Sequence, residues 1–132
     1  NESPFTHQQI LEALYYLEDL MDRAGLPFFL LEGAAKQVHD DVPYLTLNQI
    51  DAGIQENLVR ESGSKMLKIV LPSIEIDQNT ISFSHGGVPI VIWIIHKNWK
   101  FFKNPDGVFY STCNFQIPNP FEKYWKSRFL IK

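Results

Sequence analysis

Cysteine is nearly absent from this chain. Cys113 stands alone among 132 residues, which excludes an internal disulfide and fits a reducing compartment. Its simplest reading is a small buried apolar residue rather than a nucleophile. Long hydrophobic runs are missing as well. Nothing approaches the ~18 apolar residues of a membrane span, and the longest stretch, Val88 to Ile95, carries Pro89 and reads as a buried strand. The N-terminus has no basic start followed by an apolar run, so no secretory leader is visible and the expected location is cytoplasmic. Basic residues are scarce through residue 96, where 5 Lys/Arg face 13 Asp/Glu.

What is present is enough for one folded unit. Hydrophobic residues make up 45% of the chain, which supports a real core in a single domain spanning residues 1–132. The charge balance reverses in residues 97–132, where Lys97, Lys100, Lys103, Lys123, Lys126, Arg128 and Lys132 outnumber Asp106 and Glu122. Trp99, Phe101, Phe102, Tyr124, Trp125 and Phe129 are interleaved with them. Such a segment suits a protein or nucleic-acid contact, and equally a solvated rim over an aromatic core.

Local patterns give the order of elements. Thr6-x-x-Gln9 is a capping box, and Ile10, Leu11, Leu14, Leu17, Leu20 and Met21 follow at helical spacing until Gly25 and Pro27. Leu26 to Leu31 reads as a short strand running out at Gly33, with a brief helix over 34–39 and a loop over 40–47. A strand is expected over 49–55, a helical turn over 56–61, and a strand over 65–71, where apolar residues dominate. Asp77-Gln78-Asn79 forms a hairpin tip, and His85-Gly86-Gly87 is a tight turn before a central strand over 88–96. Asn104-Pro105-Asp106-Gly107 reads as a turn, 108–110 as a strand, 117–120 as a rigid connector and 121–130 as a closing helix. Together these predict an α+β fold.

At Glu32-Gly33-Ala34-Ala35, followed by Gln49-Ile50-Asp51, the chain resembles the DNA polymerase β-type nucleotidyltransferase superfamily. Its hallmark is a strand, a glycine with a small residue opening a helix, then acid–apolar–acid on the next strand and a third acid on a later central strand. Gly87-Val88-Pro89-Ile90-Val91-Ile92 and Pro118-Asn119-Pro120-Phe121-Glu122-Lys123-Tyr124 are similar to segments of choline-phosphate transferases of the same architecture. The resemblance covers roughly residues 26–126. It implies a mixed β-sheet with helices packed mainly on one face.

In that family transfer is positioning plus charge neutralisation, with clustered carboxylates holding divalent ions and a glycine turn admitting phosphates to backbone N–H groups. The resemblance then implies Asp51 as the metal ligand and catalytic acid, with Mg²⁺ as the cofactor. It implies phosphate or nucleotide contacts at Gly33, Ala34 and Gln49. Glu32, at the end of the first strand, is a candidate general base or second ligand beside Asp51.

This chain departs from the family at the positions that carry the chemistry. Gln49 stands where the first acid belongs, Val91 where the third belongs, and Ala34 where a serine or glycine is usual. One carboxylate cannot organise two Mg²⁺ ions, so the expected Mg²⁺ is at most a single weakly held ion, or absent. The expected function is therefore a nucleotidyltransferase-fold protein lacking the full carboxylate set, acting as a nucleotide-, phosphate- or partner-binding module. An active transferase using Asp51 with Glu32 or Asp40/Asp41 is the alternative, and a structural or interaction protein is the third. His7, His85, His96 and Asp77 show no ligand spacing, and each has an ordinary structural explanation.

Overall fold

A computed structural model describes the backbone of residues 3–40, 42–95, 100–104, 107–112 and 115–118, and side chains within 3–94. The expected readings at Asp41, His96, Pro105-Asp106, Cys113 and 119–130 lie outside the described residues, as do the side chains of the basic aromatic segment.

Helix α1 (His7–Ala24) forms where the capping box predicts. Thr6 Oγ1 accepts the Gln9 N–H at 3.1 Å, and Gln9 Oε1 accepts the Thr6 N–H at 2.8 Å. Gly25 ends it in the left-handed region at φ 70°, with the Leu26 N–H returning to the Met21 carbonyl at 2.9 Å. Its buried stripe, from Ile10 and Leu14 through Leu17 to Met21, is a pure core face.

Strand β1 (Phe29–Leu31), helix α2 (Glu32–His39) and strand β2 (Ile50–Gln55) follow. Next come α3 (Glu56–Leu58), a π-helical turn (Val59–Gly63) and α4 (Ser64–Val70). Strands β3 (Glu75–Ile76), β4 (Thr80–His85) and β5 (Val88–Ile95) complete a five-stranded sheet in the order β1-β2-β5-β4-β3. Only β2 and β5 are parallel; the other pairs are antiparallel. The fold is thus α+β with a mixed sheet, as the sequence pattern predicts. Strands β6 (Lys100–Asn104), β7 (Gly107–Thr112) and β8 (Phe115–Pro118) make a second, antiparallel sheet.

Two expectations are corrected. Residues 64–70 are helical, not a strand. The apolar pairs Met66-Leu67 and Val70-Leu71 recur at helical spacing, and the packing agrees: Leu67 is fully buried while Ile69 is 72% exposed. Ile117 and Pro118, expected in a connector, belong to β8.

The two faces of the first sheet differ, and this places the site. Period-two alternation puts Ile50, Ala52 and Ile54 of β2 and Ile90, Ile92 and Ile94 of β5 on one face, all buried. Helix α1 packs against β2, β4 and β5, and α4 packs against α1. The alternate positions, Asp51 on β2 and Val91 and Trp93 on β5, fall on the opposite face and are only half-buried. Among the described residues no polar or charged side chain is fully buried, and no helix is long and apolar enough to cross a membrane.

Candidate functional site

Strand pairing converges on Asp51. In the antiparallel pair Leu31 is registered with Asp51, and in the parallel pair Asp51 is registered with Val91. The residue after Leu31 is Glu32, so the strand–helix turn lies directly beside the Asp51 carboxylate. Among the described residues Glu32 is the one non-glycine with positive φ, at 52°. Left-handed backbone at a residue with a Cβ costs roughly 1 kcal/mol, which the surrounding structure must over-determine.

The electrostatics agree with that proximity. Burial pushes the Glu32 carboxyl above the ordinary glutamate range, and the negative charge of Asp51 pushes it further the same way. Between the unfolded and folded titration ranges the folded chain binds more protons than the unfolded one. Stability therefore falls as pH rises through that window and stays lower above it. Glu32→Gln removes the penalty. It is expected to stabilise the fold at about pH 7.5 by less than ~1 kcal/mol, because the side chain is largely exposed, and to give no gain near pH 3. Urea melts at the two pH values check this, and equal gains at both would refute the assignment.

Asp51 is held by two neutral donors. The Gln49 Nε2–H donates to Oδ1 at 2.8 Å, and the Trp93 Nε1–H donates to the same oxygen at 3.1 Å. Trp93 went unnoticed in the sequence, where it reads as one more apolar residue of a buried strand. The signal that finds it is register: it lies two residues beyond Val91, on the same face as Asp51.

Gly33 and Ala34 sit in the first turn of α2, which has no side-chain cap, so their N–H groups lack intrahelical partners. Gly33 is exposed, and a Cβ there would come within 3.1 Å of Leu47 Cδ2. Ala34 is buried at 1% exposure, so its side chain belongs to the core and only its backbone is available to a phosphate. The acids Asp51 and Glu32 come together. Among the described residues no group of three His, Cys, Asp or Glu stands close enough to hold a metal ion.

The other polar candidates have structural work. His7 Nδ1 accepts the Leu45 N–H at 2.9 Å and meets the Tyr44 ring edge-on. His85 stacks on Tyr16 at 4.2 Å, and Gly86 and Gly87 supply the positive φ values of the turn that follows. Asp77 accepts the N–H groups of Asn79 and Thr80, both at 2.8 Å, which hold its carboxyl below the usual range. Asp40 pairs with Lys36 at 3.6 Å.

No protein-family model, curated protein or solved structure matches the chain.

Proposed function

We propose that this chain is a nucleotidyltransferase-fold protein that has lost the metal-binding carboxylate set and acts as a nucleotide-, phosphate- or partner-binding module. One observation carries the reading: Asp51 lies in register with Val91 on the neighbouring parallel strand, and Gln49 shares its hydrogen-bonded cluster. An acid at Val91 and another at Gln49 would complete a carboxylate cluster on one sheet face. An apolar and a neutral side chain stand there instead.

Chemistry argues the same way. A lone carboxylate engaged by two neutral donors holds a divalent ion weakly, because oxygen-ligated Mg²⁺ and Ca²⁺ sites gain affinity with ligand charge. Two acids without a cation repel a bare polyphosphate. If Mg²⁺ is bound, Asp51 with Glu32 would hold it and supply charge neutralisation at a phosphate. Calorimetric titration with ATP, with and without Mn²⁺, tests the proposal. Binding is expected to be weak and little changed by the metal. Tight Mn²⁺-dependent binding lost in Asp51→Ala would overturn it.

That outcome would favour a second reading, an active transferase with relocated ligands. Its specific support is Glu32, which the turn brings to Asp51 and whose carboxyl is pushed up by burial and, further, by that neighbour. A raised carboxyl suits a general base.

A further inference from the structure

Val91 stands where the registered acid of a metal cluster would be, yet the Asp51 carboxylate is not left to rotate. Both hydrogen bonds given to it, from Trp93 Nε1–H and Gln49 Nε2–H, arrive at Oδ1. Among the described residues Oδ2 receives none, so the oxygen that is pinned is Oδ1. The two donors differ in stiffness. Gln49 is exposed and precedes β2, whereas Trp93 is half-buried on β5, the central strand of the sheet. An indole has two side-chain torsions and a rigid N–H direction, so it fixes its acceptor at low entropic cost.

We propose that Trp93 is the positioning residue of this site. Its indole N–H, assisted by Gln49, orients the Asp51 carboxylate. Trp93 acts through Asp51 rather than on a ligand. The inference rests on the reading of Asp51 as the ligand-contacting group, and it adds the residue that makes that group competent without a complete metal site. Hydrogen bonds to charged groups are the stronger class, and losing one that orients a binding group typically costs about tenfold in affinity.

The test has two arms on the full chain. In ¹⁵N-labelled protein the Trp93 indole resonance is assigned by its disappearance in Trp93→Phe, which keeps an aromatic side chain, though a smaller one, and deletes the donor. In Asp51→Asn that resonance is expected to shift at constant pH, because the acceptor of the indole N–H changes from a carboxylate oxygen to a neutral amide. A packing role alone would not produce this signature. In the second arm ATP with Mn²⁺ is the probe, and Trp93→Phe is expected to weaken whatever binding the parent chain shows about tenfold, with the melting temperature held within a few degrees. An indole signal indifferent to Asp51→Asn overturns the proposal, and so does unchanged ATP affinity in Trp93→Phe. A parent chain that binds no ATP refutes the ligand class of the proposed function instead, and the indole arm then decides the positioning role by itself.

Discussion

The double variant Gln49→Asp/Val91→Asp is expected to bind Mn²⁺ on the order of a hundredfold more tightly than the parent chain, which counts roughly tenfold for each added carboxylate. The geometry favours this outcome. Val91 is the registered partner of Asp51, Gln49 is two residues before it, and both neighbours fall on the half-exposed face of the sheet. An acid at Val91 would thus stand beside Asp51 without entering the core. Without metal, three carboxylates crowd together with Glu32 close by, so the variant should be less stable than its parent at neutral pH. With Mn²⁺ at about 100 times its dissociation constant, binding restores about 2.7 kcal/mol, a rise of roughly 8–10 °C in melting temperature for a chain this size. The parent is expected to move by less than about 2 °C under the same titration. Thermal melts across a Mn²⁺ series read both effects. A double variant that melts at one temperature at every Mn²⁺ concentration would show that these positions are not vacated ligand sites.

Much of the scaffold behind that experiment is legible from local pattern. The capping box and Gly25 bound α1, Gly33 marks the strand–helix turn, and Asp77-Gln78-Asn79 closes the β3–β4 hairpin through side chain-to-backbone bonds. Each of these is decided within a few residues, so the sequence carries it. The candidate pair Glu32 and Asp51 is also legible, because a turn and the next strand commonly become neighbours in one sheet. Other features are harder to read, and most depend on long-range packing. Met66 to Leu71 is apolar enough to pass for a strand, although the pairs Met66-Leu67 and Val70-Leu71 already have helical spacing. The Asp51–Val91 register joins strands separated by the whole β3–β4 hairpin, and in the sequence only the family resemblance points to it. Trp93 reaches Asp51 across 42 residues of sequence, and no local signal distinguishes its N–H from that of any other buried indole. The left-handed backbone of Glu32 belongs to the same class, since glutamate has no intrinsic preference for it.

Gly63→Ala is expected to destabilise the fold by about 2–3 kcal/mol, the range of overpacking in a space that cannot give. The ordinary expectation has the opposite sign, because alanine is favoured over glycine inside a helix by about 1 kcal/mol. Nor does backbone conformation demand glycine here, since Gly63 has φ −60°. Space decides. Gly63 closes the π-helical turn, in which the Ser64 N–H reaches back five residues to the Val59 carbonyl. A Cβ on Gly63 would stand 2.7 Å from the Leu58 carbonyl oxygen and 3.1 Å from Leu26 Cδ2. The leucine end can shift, but the carbonyl is part of the turn itself and cannot. The chain must either keep the clash or tighten the wide turn into an α-helical one. Tightening advances α4 by a residue, about 100° of rotation, and swings Leu67 out of the core it now fills. Either route should lower the melting temperature by roughly 10 °C. Ser62→Ala, one residue away on the exposed side, is expected to stay within about 0.5 kcal/mol of the parent. A Gly63→Ala chain that melts higher than the parent would mean that helix propensity outweighs the wide turn. The Trp93 indole resonance should still respond to Asp51 in the folded fraction of this variant, because α4 packs against α1 while Asp51 and Trp93 occupy the opposite face of the sheet.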